Sequence, residues 1–176
     1  MRKVLVVIDM QNDFINGSLG TNEACEIVDN VVKKIKSYPA ENIYATRDTH
    51  FENYSETNEG RNLPVIHCIK NTKGWQINDK VAMALRGATI IDKPTFGSLE
   101  LAEILKEENE REEIEIELVG LCTDICVVSN ALILKALMPE INISVDSKCC
   151  AGVTPESHRA ALETMKMCQI EVIGNK

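Results

Sequence analysis

The feature that most narrows the possible folds is an alternation. Six short apolar runs rich in Val and Ile, at 4–8, 43–45, 89–91, 114–119, 141–145 and 170–173, are separated by segments whose apolar residues recur every three or four positions. Unbroken β-branched runs fit strands buried on both faces, and the intervening periodicity fits amphipathic helices. The helical segments are 22–37, 99–107, 126–137 and 155–168; Thr154-Pro155 supplies a hydroxyl cap and a first-turn proline for the last. Strands alternating with helices predict an α/β fold, as a single three-layer αβα domain spanning residues 1–176 around a mainly parallel six-stranded sheet. With 176 residues, one hydrophobic core is the expectation.

Charge and cysteine content exclude several function classes. The net charge of −8 opposes nucleic acid and anionic membranes as partners, since both require clustered Lys and Arg. Much of the acidity lies in 103–117, which reads as a solvated helix end and loop. No apolar run approaches the roughly 18 residues of a membrane span, and Asp9 interrupts the opening run too early for a secretory core. Seven cysteines, an odd number, fit a reducing compartment in which thiols stay free, so a cytoplasmic location is expected.

In an open α/β sheet, ligands bind beyond the carboxyl ends of the strands. Asp9 follows the first run, Asp48 and His50 the second, Lys93 the third, and Cys122 to Cys126 the fourth. Neither G-x-G-x-x-G nor G-x-x-x-x-G-K-[ST] occurs, which disfavours dinucleotide and P-loop enzymes. The polar stretch 49–76 is long for a connection in a compact domain, and such loops are usually functional. Cys126 is expected in the first turn of a helix, where free backbone N–H groups and the helix dipole favour thiolate. The plainer alternative for Cys126 is a small buried hydrophobe, for Asp9 a turn residue and for Lys93 a solvated side chain. Asp48 and His50, two apart on an extended segment, share a side, and His67 follows later; a carboxylate with two imidazoles suits zinc, manganese or iron.

Three stretches then occur in order: Val7-Ile8-Asp9-Met10-Gln11-Asn12-Asp13-Phe14, Lys93-Pro94-Thr95-Phe96-Gly97-Ser98, and Gly120-Leu121-Cys122-Thr123-Asp124-Ile125-Cys126-Val127. Together they resemble the signature segments of the nicotinamidase/isochorismatase-like cysteine hydrolases. The resemblance implies a catalytic triad of Asp9, Lys93 and Cys126, with a non-proline cis peptide at Leu121-Cys122 and an oxyanion hole formed by the N–H groups of Cys122 and Cys126. It implies metal ligation by Asp48, His50 and His67, with Glu59 as the best-placed fourth ligand and Glu56 in reserve, and zinc as the expected cofactor. The implied reaction is hydrolysis of nicotinamide to nicotinate and ammonia through a cysteine thioester, the metal holding the pyridine nitrogen. The same fold also serves other small amide, ureido and ether substrates, and members often assemble as homo-oligomers. The chain departs from the commonest pattern at Asn53-Tyr54, where relatives carry a further histidine.

Phe14, Leu19, Trp75 and Phe96 adjoin these segments and are candidate walls for a flat aromatic substrate. His158 reads as a surface or packing residue remote from the strand ends. Cys25, Cys68 and Cys168 read as buried thiols, and Cys149-Cys150 as filling near the fifth strand end. A non-catalytic module sensing redox state through Cys122 and Cys126, one helical turn apart, is the alternative from a different class; an unusually acidic single thiol would mark the hydrolase.

Overall fold

A computed structural model describes residues 1–174. Its strands are β1 (Arg2–Ile8), β2 (Ile43–Asp48), β3 (Thr89–Lys93), β4 (Ile114–Leu121), β5 (Ile143–Ala151) and β6 (Glu171–Ile173). Its helices are α1 (Asn12–Ile15), α2 (Asn22–Ile35), α3 (Asn58–Asn62), α4 (Asp79–Ala84), α5 (Leu99–Arg111), α6 (Val128–Leu137) and α7 (Pro155–Met167). The six strands form one sheet in the order β3-β2-β1-β4-β5-β6, and every neighbouring pair is parallel.

Strand β1 explains why its sequence is unbroken apolar. It lies between β2 and β4, and Val4 to Ile8 are at most 1% exposed. Alternate residues serve opposite layers. Val4, Val6 and Ile8 pack with Leu101 and Leu105 of α5, Ala131 and Leu134 of α6, and Leu162 and Met165 of α7. Leu5 and Val7 pack with Ile27, Val31 and Ile35 of α2 and Val81 of α4. The chain winds outward from β1 on one face and returns through β4 on the other. The order therefore reverses between β1 and β4, which opens a crevice at their carboxyl ends.

Several boundaries differ from the sequence reading. The fifth strand starts at Ile143 and continues to Ala151, through polar residues that mask it in the sequence. Its register slips there, Val145 pairing with Leu118 and Cys150 with Gly120, so a bulge carries Asp146 to the Lys34 ammonium at 2.9 Å. The acidic run is not all helix end and loop. α5 extends to Arg111, and Glu115 and Glu117 belong to β4, where Glu117 accepts a 2.6 Å hydrogen bond from Tyr38 and pairs with Lys34. The stretch 49–76 contains a 3₁₀ turn, Tyr54–Glu56, and α3, and is tied down by Asp13, whose Oδ2 accepts from the Cys68 N–H at 2.8 Å. Cys25 is exposed and Cys168 half-buried, contrary to expectation; of the three, only Cys68 is buried. Thr154 does cap α7, in a reciprocal capping box with Ser157. Among the described residues, no helix is long and apolar enough to cross a membrane.

Gly120 sets how closely β1 and β4 approach at the crevice. Its φ is +117°, and a Cβ there would lie 2.1 Å from the Ile8 carbonyl oxygen. Gly120→Ala is expected to lower stability by at least about 2 kcal/mol, from backbone strain and the clash together. Urea unfolding measures it; an unchanged midpoint would refute the close approach.

Candidate active site

Three side chains from separate strand ends converge beneath the crevice. Asp9 follows β1 in a left-handed conformation, φ 46°, that turns the chain at the strand's end. Thr46 on the neighbouring strand donates to Asp9 Oδ1 at 2.7 Å and so fixes the carboxylate. Lys93 closes β3, and its ammonium reaches Asp9 Oδ2 at 2.7 Å, Cys126 Sγ at 3.4 Å, the Thr95 carbonyl at 3.1 Å and Asp48 Oδ1 at 3.6 Å. Asp9, Lys93 and Cys126 are 0%, 1% and 4% exposed, so their mutual interactions are little screened by solvent. Cys126 lies in a π-helical turn, Thr123–Val127, that precedes α6 in place of the expected first α turn. The peptide Leu121-Cys122 is cis, as the resemblance implied.

The electrostatics reverse one expectation. Burial pushes the Cys126 thiol well up, the Asp9 carboxylate adds to this, and Lys93 only partly opposes it. These influences favour the thiol over the thiolate, against the expectation of an unusually acidic group. Burial likewise raises Asp9, against the lowering effect of Lys93, making its carboxylate a stronger proton acceptor than a solvated one. Lys93 is raised despite burial, because Asp9, Cys126 and Asp48 all favour its charge. Cys122 is also held up, to about 12, chiefly by burial.

Beside this group lies a second cluster. One ligand-capable atom from each of Asp48, His50, Glu59 and His67 lies within 4.8 Å of all the others. Asp48 Oδ2 is 2.9 Å from His50 Nε2 and 3.6 Å from His67 Nε2, and Glu59 Oε1 is 3.5 and 3.6 Å from the same nitrogens. His67 Nδ1 donates to the Val65 carbonyl at 2.7 Å, which leaves Nε2 turned on the cluster. His50 Nε2 is buried without a well-formed hydrogen bond. Burial alone would lower both imidazoles, yet Asp48 and Glu59 outweigh it and lift His50 to about 9 and His67 to about 10. The cluster thus demands positive charge, and its two imidazoles and two carboxylates fit a divalent cation such as zinc. Glu59, not Glu56, joins it, because the turn of α3 that carries Glu59 faces His50 and His67.

Cys126 of the first group and all four residues of the second line one pocket of about 640 Å³, whose wall also includes Phe14, Leu19, Leu63, Phe96, Ile125 and Val153. Trp75 is not part of that lining. It anchors the loop from below, its indole N–H donating to Thr49 at 2.9 Å and the Arg47 guanidinium lying 3.8 Å from its ring centre. Gln11 and Asn130 hold the site together but were not singled out by sequence reasoning. Gln11, fully buried, accepts from the Asp48 N–H at 2.7 Å and donates to the Asp48 and Trp75 carbonyls at 2.8 Å each. Asn130 donates to the Cys126 carbonyl at 2.8 Å and accepts from the Ser98 N–H at 2.9 Å, tying α6 to the segment after Lys93. Its only sequence signal is a polar residue one turn beyond the cysteine on a mainly apolar helix. His158 is not remote from the strand ends; its Nδ1 is 2.8 Å from Thr123 Oγ1, at the start of the π-helical turn.

Known proteins share this arrangement of chain. The nicotinamidase/pyrazinamidase of Mycobacterium tuberculosis is 25% identical over 188 residues, covering 97% of this chain and 98% of that protein. The crystal structure of a Pyrococcus horikoshii pyrazinamidase in complex with zinc superposes with a TM-score of 0.76 at 29% identity, covering 99% of this chain and 100% of the other. A nicotinamidase/pyrazinamidase structure from Bacillus subtilis superposes with a TM-score of 0.82 over 98% of this chain and 99% of that one, at 24% identity, which speaks to the fold. The model of the isochorismatase domain matches residues 3–176, and with a sheet, crevice and strand-end residues of this kind the chain belongs to the isochorismatase family.

Proposed function

We propose that the chain is an amidohydrolase that converts nicotinamide to nicotinate and ammonia through a thioester on Cys126. The carrying observation is that Asp9, Lys93 and Cys126 meet in one buried, hydrogen-bonded group that shares a pocket with Asp48, His50, Glu59 and His67. The relatives named as nicotinamidases, and the zinc in the pyrazinamidase structure, support the reading.

The reaction follows from the residues. Cys126 Sγ attacks the amide carbonyl carbon while its proton passes to Asp9, whose raised basicity suits that transfer. Lys93 keeps positive charge beside the sulfur and the carboxylate as negative charge moves between them. The N–H groups of Cys122 and Cys126 are assigned to the oxyanion of the tetrahedral intermediate. Asp9 returns its proton to the leaving nitrogen, the C–N bond breaks and ammonia departs, leaving the thioester. Water, losing a proton to Asp9, then attacks the thioester carbonyl; the C–S bond breaks and Cys126 recovers its proton. Asp48, His50, Glu59 and His67 are assigned to a divalent metal, zinc first among the candidates, which when bound supplies a Lewis-acidic anchor for a ring nitrogen. Phe14, Leu19 and Phe96 supply apolar surface for the ring.

Ammonia release from nicotinamide by the purified protein tests the activity; no release under any metal condition would refute it. Removing metal with a chelator is expected to abolish turnover, with zinc or manganese restoring it. His67→Asn should lower bound metal per chain and reduce activity by more than about tenfold. Full activity after metal is shown to be absent would remove these four residues from the ligand role.

A further inference from the structure

One polar contact at the site has no part in the scheme above. The π-helical turn Thr123–Val127 carries Cys126, and the pocket lining includes Cys122, Ile125 and Cys126 but not Thr123. Thr123 is instead fully buried on the far side of the turn, and its hydroxyl lies 2.8 Å from Nδ1 of His158, a half-buried residue in the first turns of α7. A second link joins the same two parts of the chain, because the Asp124 carboxylate accepts from the Val153 N–H at 3.2 Å to each oxygen. The packing leaves no slack. A Cβ on Gly152, which lines the pocket, would lie 2.9 Å from both the His158 backbone nitrogen and Cβ. The base of α7 is thus pressed against the pocket wall, with His158 reaching past it to the turn.

We infer that His158 is a positioning residue for the nucleophile: through Thr123 it fixes the turn whose backbone presents Cys126 and the oxyanion-stabilising N–H groups. The inference rests on the amidohydrolase reading, since it concerns where the developing oxyanion is met. A π-helical turn is an uncommon conformation that depends on its surroundings, and such turns concentrate at functional sites. Oxyanion donors act only when aimed at where the charge develops, so a small displacement of the turn weakens the transition state more than it weakens substrate binding. The hydrogen bond holds Thr123, the first residue of the turn, from a separate element. Losing it would loosen the start of the turn, still tied at Asp124 and Cys126, without altering any group that touches substrate.

The test is steady-state kinetics of nicotinamide hydrolysis by the metal-loaded enzyme and a set of variants, with thermal unfolding of each. His158→Leu and Thr123→Val should each lower kcat by on the order of tenfold while KM changes little. The double variant should be no worse than the poorer single one, because both changes break the same bond. His158→Asn, whose side-chain amide places a hydrogen-bonding atom where Nδ1 stood, should recover most of kcat, whereas His158→Gln, which reaches one atom further, should not. Thr123→Ser keeps the hydroxyl and should behave as wild type, which guards against Thr123→Val failing to fold. Unchanged kcat in folded His158→Leu, additive losses in the double variant, or equal behaviour of the Asn and Gln variants would each overturn the inference while leaving the proposed activity standing. A wild-type enzyme that releases no ammonia would overturn the activity and the inference together.

Discussion

Cys126→Ala should stop nicotinamide hydrolysis, with a loss in kcat on the order of 10⁴-fold or more, because it removes the sulfur assigned to the thioester. The change removes one sulfur from a site that is 4% exposed, so the fold should survive with a stability loss of about 1 kcal/mol. Nicotinamide binding to the metal-loaded variant should persist, and calorimetry would record it. The two neighbouring thiols are separated by the companion Cys122→Ala, which keeps the backbone N–H. An inactive Cys122 variant beside an active Cys126 variant would move the nucleophile. Activity in both would end the thioester proposal.

Asp9→Asn should act on both chemistry and stability. Without the carboxylate there is no acceptor for the thiol proton, and kcat should fall by about 10²- to 10⁴-fold. The same change leaves the Lys93 ammonium, 1% exposed, without its 2.7 Å partner. Breaking one side of a buried ion pair costs about 3–5 kcal/mol, and here the lower figure is expected because Asp48 Oδ1, 3.6 Å away, still offsets part of the Lys93 charge. Urea unfolding should therefore place Asp9→Asn far below wild type, and adding Lys93→Met to it should restore part of the lost stability without restoring activity. A single variant as stable as wild type would show that the pair does not carry the burial of its charges.

These expectations indicate which parts of the molecule could be read from the sequence. Strand β1 was legible because burial on both faces demands an apolar side chain at every position from Val4 to Ile8. The strand-end residues Asp9, Asp48 and Lys93 were legible because parallel strands deliver their carboxyl ends to one edge. Glu59 was legible only through the resemblance, since nothing in the spacing of a polar loop shows which glutamate will turn inward. Strand β5 was cut short because its bulge exposes polar residues in the middle of a buried element. Helices α1 and α4, of four and six residues, are too short for a helical period to register. Trp75 was assigned to the pocket because a lone aromatic in a long loop satisfies an anchor and a wall equally well.

The largest gap was electrostatic. A cysteine opening a helix reads as acidified, yet the depth of the site and the adjoining carboxylate favour the protonated thiol. Neither quantity has a local sequence signature. The same holds for the contacts of Gln11 with Asp48 and of Thr46 with Asp9, which join residues 37 positions apart, and of His158 with Thr123, 35 positions apart. Such bonds exist only once the sheet has assembled.

The position of Lys93 carries a consequence for the architecture as a whole. Among the described residues, β3 is the outermost strand on its side and is laddered only to β2. The bond from Lys93 to Asp9 reaches over β2 to the central strand, so it is a crosswise tie between the rim of the sheet and its middle. The proton acceptor and the charge that steadies it are thus also a clasp on the edge of the fold. A substitution that retunes one inevitably loosens or tightens the other, so the chemistry of this site and the integrity of its rim are inherited together.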